Sequence, residues 1–468
     1  MRDDDRPAPR VPADHGLACL GLLLQLAGGL LAAYGTLAAF AALLSAHRFD
    51  DDRLWVFLVL ATGVGRSLVH RAAGAQLVYG DRAVGVPGPV EQTPSDEKRL
   101  AGIHRYLGVS VVHSAVVAAI VAGHFHAPGC SVVGIVGALL VWPAVLFIVA
   151  AHPRIRPLGR RLPVPADKGF EAAAIVMTVL ACGGLALPLA LLGAMWRFPA
   201  EELQQGPDLM AMVMLVVLVV RAGLHLQAGI AGLRETSIER AVGLATRYAN
   251  FAVISTFCAG AAAFLVVAAA HFDLVGLAIA VGLVWMLLTW PLIVRRFFSD
   301  RQFDDLLAGD DAVAHHRAPD AGLSGLGWLL VANAAVSLTW LLLRLATADH
   351  PGLPGALAIP GGPDGALPWQ LVAIALGGWA GLELVGMTSR ARAVTLAWAI
   401  ASIGVAIYLI GPDLASGALV DRLPDVTGLA GIGWLAAQIV LPAAGLLLVT
   451  RRVAPAARAR YRARPLRS

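Results

Sequence analysis

Apolar residues in this chain run on without alternation. Twelve stretches of about 20 residues or more are each long enough to cross a bilayer. They lie near 17–46, 53–78, 106–125, 132–151, 170–195, 208–232, 247–270, 274–296, 322–346, 367–387, 392–411 and 427–450. Unbroken runs of Leu, Ala, Val and Gly predict helices, since barrel strands alternate apolar and polar positions. The expected fold class is an all-α polytopic membrane protein of about twelve transmembrane helices.

Polar positions recur within these runs in one order. Residues 65–74 read GRSLVHRAAG, 220–229 read VRAGLHLQAG and 378–386 read GWAGLELVG. The first two place Arg66 and His70, and Arg221 and His225, four residues apart; the third has Trp379 and Glu383 there. His104-Arg105-Tyr106 and Thr246-Arg247-Tyr248 precede the next span. Val141-Trp142-Pro143, Thr289-Trp290-Pro291 and Val440-Leu441-Pro442 fall in the fourth, eighth and twelfth. His47-Arg48-Phe49 and Trp196-Arg197-Phe198 close the first and fifth. The shared order predicts three tandem four-helix repeats, 17–151, 169–297 and 322–450, related by a pseudo-threefold axis along the membrane normal. A disordered cytoplasmic tail (1–16), a cytoplasmic acidic linker (298–321) and a basic cytoplasmic tail (451–468) complete the expected organisation. The opening residues lack the basic-then-apolar order of a signal peptide.

Charge adds orientation. The connections after the fourth and eighth spans carry Arg154, Arg156, Arg160, Arg161 and Lys168, then Arg295, Arg296, Arg301 and Arg317. Those after the third and seventh, HFHAPGC and HFD, have no lysine or arginine. The positive-inside rule then places both termini in the cytoplasm. Arginine outnumbers lysine heavily, as GC-rich bacterial coding would produce, so a bacterial inner membrane is the expected location. Composition agrees: 58% of residues are hydrophobic and 14% charged, against roughly 25% charged in soluble domains. No room remains for a large aqueous domain, and nucleic acid is not an expected partner. Cys19, Cys130, Cys182 and Cys258 are far apart and are expected to be free thiols.

Candidate chemistry sits inside the spans. Arg66 and Arg221 fall near mid-membrane, where arginine costs roughly 2.5–3.5 kcal/mol on insertion scales. Each needs a partner in the protein or a wet cavity. Spacing of four puts each histidine on the same helix face as its arginine. Glu383, the only acid deep in a span, is the expected counter-charge for one arginine, leaving the other for a ligand. His113 and Ser114, with Ser255 and Thr256 at the matching place, would complete a polar lining. Asn333, Ser337, Thr339 and Gln438 read as hydrogen bonds between helices. The Trp-Pro pairs read as kinks that shape packing.

Two readings stay open for Arg66, His70, His113, Arg221, His225 and Glu383. One is a polar lock that fixes packing; the other is a pathway or pocket for a small anionic solute. The leading expectation is a transporter or channel-like protein binding such a solute. A non-catalytic membrane subunit with protein partners is the alternative, and an enzyme acting on a lipid-linked substrate the second. No cofactor is expected; a haem between His70 and His113 is the one variant. The acidic 298–321 stretch reads as a solvated loop before it reads as a metal site. Walker A, HExxH, GxSxG and zinc-type cysteine patterns are missing.

Overall fold

The computed structural model describes residues 17–44, 51–79, 96–151, 170–195, 206–233, 238–269, 274–299, 321–347, 367–385 and 390–416, with a few positions between 439 and 446. Among the described residues, helix is the only regular structure. The helices are α1 (Leu17–Leu44), α2 (Asp51–Tyr79), α3 (Asp96–Gly123), α4 (Gly129–Ala151), α5 (Phe170–Met195), α6 (Gly206–Leu233), α7 (Ile238–Ala269), α8 (Leu274–Phe298), α9 (Ala321–Thr347), α10 (Leu367–Val385) and α11 (Ala391–Ser416). Nine stretches among the described residues are long and apolar enough to cross a membrane. This is the helix set of a multi-pass membrane protein. Most of the expected twelfth span (427–450), both terminal tails, nearly all of the 298–321 linker and the proline-rich 347–366 segment lie outside the described residues.

Each helix packs on its sequence neighbour: α1 on α2, α2 on α3 and α3 on α4, then α5 on α6, α6 on α7 and α7 on α8, then α9 on α10 and α10 on α11. Other contacts join these sets. α8 lies against α1, α4 against α9, and α1, α5 and α9 meet one another. α1 and α9 are accordingly the most enclosed spans, while Val112, Val133, Ile254 and Ile400 on outer helices are largely exposed, as lipid-facing positions should be.

Lipid is as apolar as leucine, so burial alone does not join helices in a bilayer; close backbone packing through small residues does. α1 and α2 meet this way. A Cβ on Gly74 would stand 2.5 Å from the Gly21 carbonyl and 2.7 Å from the Gln25 nitrogen. α5 and α6 repeat the contact, with a Cβ on Gly229 reaching 2.8 Å from the Thr178 nitrogen and 3.1 Å from the Ala174 carbonyl. Between sets, α8 receives Leu37 against Gly282, and α4 receives Ala346 against Gly134. The Thr339 hydroxyl donates to the Ala138 carbonyl at 3.3 Å, and Cys19 Sγ to the Gly325 carbonyl at 3.3 Å. All four cysteines are free thiols, as expected.

Candidate functional site

Proline explains where the arginines go. A residue inside a helix donates its N–H to the carbonyl four positions back; proline has no N–H to give. Pro143 in α4 therefore frees the carbonyl of Leu139, and Pro291 in α8 frees that of Leu287. A freed carbonyl in a membrane interior is costly without a donor. Arg66, at the middle of α2, donates from Nη2 to the Leu139 carbonyl at 2.5 Å. Arg221, on α6, donates from Nη2 to the Leu287 carbonyl at 2.6 Å. Each guanidinium also bonds the third helix of its own set. Arg66 Nε donates to Ser110 Oγ at 3.1 Å and Nη2 to the Tyr106 hydroxyl at 3.4 Å; Arg221 Nη1 donates to Thr256 Oγ1 at 2.9 Å.

One turn along, tryptophan and tyrosine seat the histidine. Trp142 Nε1 donates to His70 Nε2 at 2.9 Å, and Trp290 Nε1 donates to His225 Nε2 at 2.9 Å. A nitrogen that accepts an N–H carries no proton itself, so both imidazoles have theirs on Nδ1. Tyr106 stacks on His70 with ring centroids 4.4 Å apart and an interplanar angle of 20°; Tyr248 stacks on His225 at 4.2 Å and 7°. His70, His225, Tyr106 and Tyr248 are buried, and His70 Nδ1 has no hydrogen-bond partner among the described residues. The Arg66 guanidinium lies 5.8 Å from the Tyr106 ring centre.

His113 adds a third rung on the α2–α3 face. Its Nδ1 lies 3.0 Å from Thr62 Oγ1. The Thr62 hydroxyl also lies 2.9 Å from the Leu58 carbonyl and 3.0 Å from that of Val59. Thr62 with His113, Arg66 with Ser110 and His70 with Tyr106 therefore climb one face of α2. Ser114 and Ser255 turn back to the Ser110 and Ala252 carbonyls of α3 and α7. Trp142 donates to His70 Nε2, the nitrogen that a haem between His70 and His113 would use.

The structure thus forms two clusters, one from Arg66, His70 and His113 and one from Arg221 and His225. It does not bring Glu383 to either arginine. Glu383, half-buried on α10, accepts from Trp379 Nε1 at 3.0 Å. The expected counter-charge role fails for a local reason: each arginine already reaches a proline-freed carbonyl in its own set. Among the described residues no carboxylate touches either guanidinium, and both arginines are half-buried. The Trp-Pro pairs are more than packing shape. Tryptophan holds the histidine and proline supplies the arginine's acceptor. Tyr106, Trp142, Tyr248 and Trp290 were visible in the sequence as recurring marks, but nothing in their spacing assigned them to the histidines. Comparisons with protein families, characterised proteins and solved structures return no match to this chain.

Proposed function

We propose that the protein is a multi-pass inner-membrane protein that binds and passes a small anionic solute at Arg66 and Arg221. One observation carries this reading: among the described residues, two mid-span guanidinium groups are held only by neutral acceptors. Hydroxyls and carbonyls orient a cation and stabilise it, but they do not cancel its charge. An intramembrane charge of that kind marks an ion or substrate path. Arg66 Nη1 has no acceptor among the described residues, so donors remain for a ligand.

The architecture supports two equivalent sites. α1, α5 and α9 meet centrally, α8 packs on α1 and α4 on α9, the order that three parallel four-helix repeats around a pseudo-threefold axis would produce. The matching Arg–carbonyl, Trp–His and Tyr–His contacts in the first two sets agree with it. The third set has Trp379 and Glu383 in place of arginine and histidine and would hold no such site. Cytoplasmic termini follow from the arginine bias.

The test is anion entry into proteoliposomes, followed with a halide-quenched dye for chloride and iodide. Wild type should admit the ions above protein-free liposomes. Arg66→Gln with Arg221→Gln should lower the flux per folded, reconstituted protein at least about tenfold. A second reading, the polar lock, is favoured by the seating of both arginines on proline-freed carbonyls. It predicts low folded yield for each single variant and no protein-dependent flux in the wild type.

A further inference from the structure

We infer that the third set keeps the seat that holds arginine and histidine in the other two, emptied of both and plugged by Trp398. The inference rests on the three-repeat reading, but it matches residues by backbone packing instead of by the line GWAGLELVG. In each set one glycine of the second helix lies on the backbone of the first, against a carbonyl and a nitrogen four residues apart. A Cβ on Gly74 would meet the Gly21 carbonyl and the Gln25 nitrogen, and one on Gly229 the Ala174 carbonyl and the Thr178 nitrogen. A Cβ on Gly381 would stand 2.7 Å from the Gly327 carbonyl and 2.9 Å from the Val331 nitrogen. Gly21, Ala174 and Gly327 are also evenly spaced along the chain. Backbones this close leave little room to slide, so the contact fixes which residues correspond. His70 and His225 stand four residues before their glycine, and so does Gly377; Arg66 and Arg221 stand eight before, and so does Ala373. Trp379 and Glu383 flank Gly381 itself, close to the end of α10 at Val385. Glu383 therefore does not share the depth of the arginines.

Trp398 takes the vacated place. In the first two sets a tyrosine of the third helix stacks on the histidine. In the third, Trp398 of α11 lies against Gly377, where a Cβ would stand 2.8 Å from the indole Nε1 and 3.1 Å from Cδ1. Gly377 and Trp398 are both buried. Ser402 is buried four residues after Trp398, as Ser110 is after Tyr106. The tryptophan that seats each histidine precedes a proline, and there the third set has Leu441 before Pro442. An indole has thus left the fourth helix and arrived on the third. A seat without its imidazole would be a destabilising cavity, and the larger ring of Trp398 fills it. With neither guanidinium nor imidazole, this seat takes no solute.

The test is unfolding of the full-length protein in mixed detergent micelles. Gly377→His alone should lower the folded-to-unfolded ratio at least about fivefold, the low end of what overpacking costs. Gly377→His with Trp398→Tyr and Leu441→Trp rebuilds the seat of the first two sets and should recover most of that loss. Glu383→His in the same Trp398→Tyr, Leu441→Trp background should be no more stable than that background. In the second set, His225→Gly with Trp290→Leu should gain stability when Tyr248→Trp is added. Recovery in the second set without recovery at Gly377 overturns the match of residues and leaves the three-repeat reading in place. Recovery in neither set overturns both. Recovery by Glu383→His equal to that by Gly377→His also overturns the inference. None of these outcomes depends on whether Arg66 and Arg221 bind an anion.

Discussion

Replacing Trp290 with phenylalanine keeps an aromatic ring in place and removes one N–H. That N–H is the donor to His225 Nε2 at 2.9 Å. Its loss leaves a buried acceptor unpaired, which costs about 1–3 kcal/mol in protein interiors. Hydrogen bonds measured by double-mutant cycles in membranes are weaker, averaging ~0.6 and reaching ~1.7 kcal/mol, because unfolded chains in the bilayer also find partners. This pair belongs near the upper figure. Trp290 is 8% exposed and His225 5%, so neither can turn to headgroup water. The perturbation is a cycle of Trp290→Phe, His225→Leu and the double variant. Packing lost with the smaller ring appears on both sides of the cycle and cancels to first order. Unfolding free energy in mixed detergent micelles, followed by far-ultraviolet circular dichroism, should give a coupling of about 1.5 kcal/mol. A coupling below about 0.3 kcal/mol, the scatter of independent sites, would refute the claim that tryptophan fixes this imidazole. The cycle at Trp142 and His70 should agree in sign and be smaller, because Trp142 is only half-buried.

Arg221→Met should cost about 1–3 kcal/mol by stranding the Leu287 carbonyl. The same change in a Pro291→Ala background should cost much less, since alanine brings back the missing N–H; equal thermal stability losses in both backgrounds would defeat the proline argument. Gly74→Leu should sharply lower detergent-stable yield because its Cβ would overlap the α1 backbone, whereas Gly65→Ala, with nothing within 4 Å, should leave yield nearly normal. In a background without native cysteines, Pro128→Cys should react with an impermeant thiol reagent from outside and Asp310→Cys should not; the reverse pattern would invert the orientation.

Much of the helix layout is legible in the sequence, because membrane spans follow from unbroken apolar length and nothing in the chain competes with that signal. The sharing of one helix face by Arg66 with His70, and by Arg221 with His225, is also legible from spacing alone. What holds them is not. Charge matches the arginines to Glu383, yet their anchors are main-chain oxygens, which carry no mark in a sequence. The histidines suggest a solute or another imidazole, yet their partners are Trp142 and Trp290, two helices away. Periodicity gives the face a residue occupies; it says nothing of which neighbouring helix stands opposite. The recurrence of Trp-Pro beside Arg-x-x-x-His is the available clue, and it becomes readable once proline is understood as a carbonyl made vacant four residues earlier.

That last point bears on which substitutions each cluster can tolerate. Every amino acid has a carbonyl, so positions 139 and 287 can drift among apolar residues without disturbing the arginines that lean on them. The constraint is displaced to Pro143 and Pro291, which act on the arginines through a missing N–H. A variant scan across α4 and α8 should therefore show permissive sites where the contact is made and intolerant ones a turn further along, an inversion of the usual rule that contacting residues are the constrained ones.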